Sequence, residues 1–254
     1  MTHPELSIVI PVYNEENRVR KTLEESLAYL KSKRLKAEML VVDDGSGDLT
    51  VKVLEDFRKK KKIEKMMRIL KHPVNRGKGA AVRTGVLEAQ GKIVLYMDAD
   101  NATPLREIEK LWPGLRRGFE VVIGSRAADR SQVKIHQPLY RQAIGRVGNL
   151  LVQLLATPGL WDTQCGFKAF SHRAAKAIFQ LQTIERFGFD VELLFIARKK
   201  GFQILETSVE WFDAPGSKVN ALRDSVRTLL ELFLIRWNSI RGFYDSPPSS
   251  RRGK

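Results

Sequence analysis

Asp98 and Asp100 stand two residues apart just beyond the apolar run 93–97, IVLYM. On an extended chain, residues at that spacing face the same way, so both carboxylates can reach one point. Hard oxygen donors of this kind suit Mg²⁺ or Mn²⁺ held jointly with the phosphates of a substrate. A polar turn that merely ends a strand, with Asn101 and Thr103-Pro104 leading into the next helix, would use the same residues. A second candidate for anion chemistry is the stretch 75–79, NRGKG, which offers backbone N–H groups and Lys78 at the start of a helix. It is neither a dinucleotide fingerprint, because Val82 replaces the third glycine, nor a P-loop, because Gly79 follows Lys78 where Ser or Thr is needed.

These groups need elements to hold them. Apolar runs at 6–12, 39–42, 67–70, 93–97 and 119–124 read as strands, and the segments between them as helices. Asn14 is placed to cap a helix running to about Lys33, with acidic residues in its first turn and Leu23, Leu27 and Leu30 inward. A second helix starts near Leu49, a third runs from Gly77–Gly79 to about Gly91, and a fourth covers 105–117 with a bend at Pro113-Gly114. Short links and strict alternation indicate an α/β fold with a largely parallel sheet, whose ligands bind beyond the carboxyl ends of the strands. Asn14-Glu15, Asp43-Asp44, Asp98-Asp100 and Ser125-Arg126 all fall there. That recurrence carries more weight than any single motif.

The second half is less regular. A helix is expected over 137–155, a loop or turn over 162–168 (DTQCGFK), helices over 174–181 and 191–199, a strand over 203–212 and a Pro-Gly loop over 213–218. A final helix over 221–240 is amphipathic, with Leu222, Val226, Leu229, Leu230, Phe233 and Trp237 at helical spacing and Arg223, Arg227, Arg236 and Arg241 beside them. Such a helix can lie in a lipid headgroup plane or pack on the sheet.

The chain has 254 residues and a formal charge of +15, which calls for an anionic partner: nucleic acid, a membrane face or phosphorylated substrates. Carboxylates gathered at strand ends argue against a surface that tracks nucleic-acid phosphates. Cys165 is the one cysteine, so an intrachain disulfide and a cysteine-based zinc site are excluded. Acidic residues come too early for a signal peptide, and no apolar run is long enough to span a bilayer. The tail 246–254 has the composition of a disordered, basic end.

Taken in order, PVYNEE, VVDDGSGD, NRGKGAAVRTG, YMDADNATP, IGSR, DTQCGFK, FDVELL and PGSK resemble the inverting glycosyltransferases of family 2, over residues 5–240. Within that family the likeness is to the enzymes that glycosylate dolichyl phosphate, the glucosyl branch before the mannosyl one. The resemblance implies a GT-A fold (a Rossmann-like, mostly parallel sheet flanked by helices) as a single domain over 1–245. It implies hexose transfer with inversion from a nucleotide-sugar, UDP-glucose or alternatively GDP-mannose, to a polyprenyl phosphate. The expected cofactor is Mg²⁺ or Mn²⁺, and the expected location is cytoplasmic, peripheral on the cytosolic face of a membrane.

By motif, Pro11, Tyr13, Glu15 and Asp43 would surround the nucleoside, with Asp43 accepting a nucleobase N–H or else capping the next helix. Asp98 and Asp100 would hold the metal, and Lys78 and Lys218 would meet the donor phosphates. Arg126, Arg130 and Arg141, with Gln164, would receive the acceptor. Asp162 would position Lys168, an arginine or the sugar; Glu192 would contact donor hydroxyls or lie on an exposed helix face. Neither need act as a base, because a phosphate monoester is already largely dianionic at neutral pH. Cys165 reads as a packing residue.

Overall fold

The computed structural model describes residues 3–126, 152–153, 156–212 and 221–245, of which 221–229 are described as helix backbone alone. Seven strands form one sheet: β1 (Leu6–Val12), β2 (Ala37–Asp43), β3 (Met67–Lys71), β4 (Ile93–Met97), β5 (Val121–Ser125), β6 (Phe167–Ser171) and β7 (Ile204–Ser208). Their order is β3-β2-β1-β4-β6-β5-β7. All pairings are parallel except those of β6, which runs antiparallel between β4 and β5. The α/β architecture with a mostly parallel sheet is thus as expected.

Helices among the described residues include α1 (Val19–Ser32), α2 (Thr50–Lys61), α3 (Lys78–Glu88), α4 (Ile108–Arg116), α5 (His172–Leu181), α6 (Phe189–Lys199) and α7 (Ala221–Ile240); a 3₁₀ turn, Leu105–Glu107, precedes α4. Alternation along each strand sends neighbouring side chains to opposite faces. Ile8, Ile10, Met39, Val41, Leu95 and Met97 join Leu23, Leu27, Leu54 and Leu111 in one core. Val9, Leu40, Val42, Val94 and Tyr96 join the helices of the other face, with Phe179, Phe189, Ile196, Leu232 and Ile235.

Three expectations are corrected. Phe167 and Lys168 are not in a loop but open β6, pairing with Met97 and Tyr96. A five-residue strand carrying a lysine lacks a clean apolar alternation, and nothing local announces that it will insert between two parallel neighbours. Asn14 does not cap α1: it sits at φ +53°, and α1 begins at Val19 with no acidic residue in its first turn. The strand expected over 203–212 is confined to Ile204–Ser208. The helix expected over 137–155 and the tail 246–254 lie outside the described residues.

Candidate active site

The loops after β1 and β2 lock together at the carboxyl edge. Asn14 Oδ1 accepts the Gly47 N–H at 2.9 Å, and the Asn14 N–H donates to Ser46 Oγ at 2.9 Å. Glu15 receives a two-pronged contact from Arg18, whose Nε and Nη2 donate at 2.7 and 2.6 Å. That contact raises the guanidinium above its ordinary range, with Asp100 adding to it. Asp43 is buried at the end of β2; its Oδ2 accepts the Ser46 N–H at 3.2 Å, which closes a local turn rather than capping α2. Its Oδ1 is buried with no donor among the described residues. Pro11 lies half-buried beside it in β1, and Tyr13 is exposed.

The other acid of the pair, Asp44, builds the next loop. Its carboxylate accepts from Asn75 Nδ2 at 2.9 Å, Arg76 N–H at 3.0 Å and Gly77 N–H at 2.7 Å, and it meets His72 Nδ1 at 2.7 Å. The Ala80 N–H donates to the Glu185 carbonyl at 3.0 Å. Backbone donors of Arg76, Gly77 and Ala80 are therefore spent inside the protein. Two backbone donors of the stretch 75–79 are thus committed, and its lysine reaches Asp98.

Lys78 Nζ lies 2.6 Å from Asp98 Oδ1, the two side chains being 22 % and 34 % exposed. Burial alone would lower the ammonium, but Asp98, Asp190 and Asp100 outweigh it and hold Lys78 above its usual range. Asp98, Ala99 and Asp100 stand beyond the end of β4, the last two in a turn, with buried Ala99 between two half-exposed acids. The two acids are therefore separated by a turn, not by the extended chain expected from their spacing, and Asp100 Oδ1 accepts the Ala102 N–H at 3.0 Å. Gly166 lies directly against Asp98: a Cβ there would come 2.0 Å from Asp98 Oδ2, and the Gly166 carbonyl accepts the Asp98 N–H at 3.1 Å.

No cluster of three or more metal-ligating side chains occurs among the described residues. A pair of half-exposed carboxylates suits a divalent ion that completes its shell with water and substrate phosphates, so Asp98 and Asp100 fit Mg²⁺ or Mn²⁺ of that kind.

Beneath Asp98 lies a second lysine–aspartate pair. Lys168, fully buried, donates to Asp190, to the Cys165 carbonyl at 2.6 Å and to Tyr96 Oη at 2.9 Å. Tyr96 Oη also donates to Asp190. Burial, then Asp190, push the Tyr96 phenol well above its ordinary range, so it remains a donor. Burial likewise pushes the Cys165 thiol up to about 11, in keeping with a packing residue and not with a thiolate.

Asp162 pairs with Arg126, not with Lys168. Arg126 donates to it from its own N–H at 2.7 Å, from Nε at 2.8 Å and from Nη2 at 2.7 Å. Burial would raise the Asp162 carboxyl, but that fork holds it below its ordinary value. The Asp162 N–H is itself fixed on Glu206 at 2.9 Å, and the Arg126 guanidinium lies over Trp211 at 5.9 Å. Gln164 is exposed on the adjoining turn.

Glu192 is the clearest correction. It is neither on an exposed helix face nor open to a ligand but 0 % exposed, accepting the Thr183 and Ile184 N–H groups at 2.9 and 2.8 Å, the Thr183 hydroxyl, and Tyr244 Oη at 2.8 Å. Burial raises its carboxyl above the ordinary range against those donors. Asp44, Lys168, Tyr96 and Glu206 were missed as parts of the site. Asp44 was legible as the unassigned half of an Asp-Asp pair, and Lys168 as a lone charge in an apolar stretch; Tyr96 and Glu206 carried no signal. Arg130, Arg141 and Lys218 lie outside the described residues.

Residues 7–179 match the family model described as glycosyl transferase family 2. The chain is 38% identical over 226 residues to a dolichyl-phosphate beta-glucosyltransferase of Trichomonas vaginalis, covering 84% of this chain and 68% of that one. It is 38% identical to the Drosophila melanogaster protein of that name (91% and 74% covered) and 35% identical to the Homo sapiens one (94% and 76%). Among solved structures it is similar to glucosyl-3-phosphoglycerate synthase from Mycobacterium tuberculosis in complex with Mn²⁺, UDP and glucosyl-3-phosphoglycerate. The TM-score there is 0.64 at 18% identity, covering 92% of this chain and 80% of that one. A second complex of that enzyme, with Mn²⁺, UDP-glucose and phosphoglyceric acid, gives a TM-score of 0.62.

Proposed function

The chain belongs to glycosyl transferase family 2, and from that premise we propose that it transfers glucose from UDP-glucose to a dolichyl-type polyprenyl phosphate with inversion at the anomeric carbon. The reading is carried by the half-open Lys78–Asp98 pair at the strand edge, beside Asp100, with the orphaned acceptor of Asp43 two strands away on the same sheet edge. Asp43 Oδ1 takes the imide N–H of uracil, supplying the donor that this buried oxygen lacks. Asp98 and Asp100 would hold a divalent ion, which when bound would supply positive charge against the leaving diphosphate. Lys78 turns from Asp98 toward the β-phosphate and adds its charge to the same developing anion, a contribution that grows toward the transition state.

The acceptor phosphate needs no base. Its second pKa is about 6, so near neutral pH it is largely dianionic and an oxygen lone pair is free to attack directly. The carboxylates agree with this: Asp162 is taken up by Arg126, and Glu192 is sealed in the core. Asp162 instead fixes the direction of Arg126, whose cation is assigned to the acceptor phosphate.

The acceptor is a lipid, and α7 presents a surface suited to reach it. Leu232 and Ile235 are buried on one side, while Phe233, Trp237 and Ile240 are 65 %, 58 % and 80 % exposed. Arg236 and Arg241 flank that apolar face. No described helix is long and apolar enough to cross a membrane. Seated in a headgroup plane, α7 brings the chain to the cytosolic membrane face, each basic residue adding about 1 kcal/mol near an anionic surface. Phe233→Ser with Trp237→Ser then releases the protein from anionic vesicles with little change in melting temperature; a large fall in melting with binding retained contradicts this orientation.

The function is tested by offering radiolabelled UDP-glucose, UDP-galactose and GDP-mannose with dolichyl and undecaprenyl phosphate in the presence of Mn²⁺. The expected product is a polyprenyl-phosphate β-glucose from UDP-glucose alone. Transfer from GDP-mannose instead would move the chain to the mannosyl branch.

A further inference from the structure

Segment 182–186, between α5 and α6, is packed hard against the loop that carries Lys78. Gln182 Nε2 donates to the Gly79 carbonyl at 3.0 Å, and the Ala80 N–H donates to the Glu185 carbonyl at 3.0 Å. The contact leaves no room for side chains: a Cβ on Gly77 would fall 2.5 Å from the Glu185 carbonyl oxygen, and one on Gly79 would fall 2.8 Å from that of Ile184. Segment 182–186 thus packs on the backbone on both sides of Lys78.

What fixes that segment is Glu192, which takes both the Thr183 and Ile184 N–H groups. Glu192 is in turn held from the far side of the chain. Tyr244, 0 % exposed, donates to it at 2.8 Å, and Asn238 Nδ2 donates to the Thr183 hydroxyl at 3.1 Å. Both residues belong to the C-terminal end of α7 and the turn after it.

We infer that Glu192 is a positioning residue for the donor-phosphate loop, and that Tyr244 and Asn238 make the seating of α7 part of that positioning. The inference rests on the reading of Lys78 as a ligand of the donor diphosphate. It connects the helix that faces the lipid, through Glu192 and segment 182–186, to the backbone that carries Lys78. A buried acid accepting from two backbone N–H groups and two hydroxyls is costly to assemble, and a hydrophobic residue would fill the space more simply. Its geometry is what a stiff link between two surfaces requires.

The test is a double-mutant cycle on UDP affinity, measured by calorimetry of the full chain in Mn²⁺. Tyr244→Phe keeps the ring and removes one donor to a charged acceptor, and is expected to weaken UDP binding about fivefold. On a Lys78→Met background the same substitution is expected to have almost no further effect, within about twofold. Asn238→Ala repeats the pattern and stands in should Tyr244→Phe fail to fold. A packing role alone would lower the melting temperature and leave UDP affinity unchanged, or would weaken it equally with and without Lys78; either result overturns the inference. If wild type binds UDP but Lys78→Met binds it equally well, the donor reading of Lys78 fails, and the positioning role with it. If Lys78 matters and Tyr244 and Asn238 do not, only the positioning role fails.

Discussion

Two lysine–aspartate pairs lie close together at the carboxyl end of β4, and they differ in one respect that separates their tasks. Lys78–Asp98 is 22 % and 34 % exposed; Lys168–Asp190 is 0 % and 5 % exposed. The open pair has solvent on one side, so either partner can exchange the other for a ligand at little cost. The closed pair has no such alternative. Lys168 already serves Asp190, Tyr96 and the Cys165 carbonyl, and removing either charge leaves the other buried without compensation. The first pair is free to exchange partners, as the proposed donor role requires, whereas the second is fixed inside the protein near Gly166, where an added Cβ would meet Asp98 Oδ2 at 2.0 Å.

The comparison breaks most visibly if Lys168 is replaced. Lys168→Met is expected to cost about 3–5 kcal/mol of stability in urea unfolding, since it strands Asp190. A loss under about 1 kcal/mol would mean that the inner pair is not structural. Asp98→Asn should do the reverse. Transfer falls by about 10²–10³-fold while the unfolding midpoint barely moves, because a half-exposed carboxylate contributes little to folding but much to the leaving diphosphate. EDTA applied to wild type should give a comparable loss, and full activity in EDTA would remove the metal from the account.

A smaller effect distinguishes Asp162 from both pairs. Its carboxyl lies below the ordinary value of 3.8 because Arg126 grips it. The folded state therefore binds that proton less readily than the unfolded state. The resulting stability is complete above pH 3.8 and is lost as pH falls through the depressed value. Asp162→Asn should be less stable than wild type at pH 7 by about 1–3 kcal/mol, and the gap should close as the pH is taken below 3.8. The rate should show no limb rising above pH 7 that this variant abolishes; finding one would assign Asp162 as a general base.

Much of the open region was readable in the chain and little of the closed one. Asp98, Asp100 and Lys78 follow apolar runs or glycine punctuation, so their place at the strand edge follows from period and topology alone. Asp43 was readable for the same reason. The closed pair depends on β6 entering antiparallel between β4 and β5, which sets Lys168 opposite Tyr96. That register is a long-range pairing with no local signature. Glu192 was misread on similar grounds. In sequence an acid in the first turn of a helix reads as exposed, whereas here Tyr244, 52 residues later, closes over it. The final helix was located from 221 to 240, and its stripe was left open between an outward and an inward orientation: among the described side chains Leu230, Phe233 and Trp237 face outward, while Leu232, Ile235 and Asn238 are buried.

The open pair's role is measured most directly by UDP binding with and without Mn²⁺ in wild type and in Asp98→Asn. Wild type should bind UDP at least about tenfold more tightly when Mn²⁺ is present, a difference of about 1.4 kcal/mol, and Asp98→Asn should lose that increment while retaining metal-independent binding. Wild-type affinity that is the same in Mn²⁺ and in EDTA, or an Asp98→Asn protein that keeps the full increment, would contradict the assignment of this pair to the donor diphosphate.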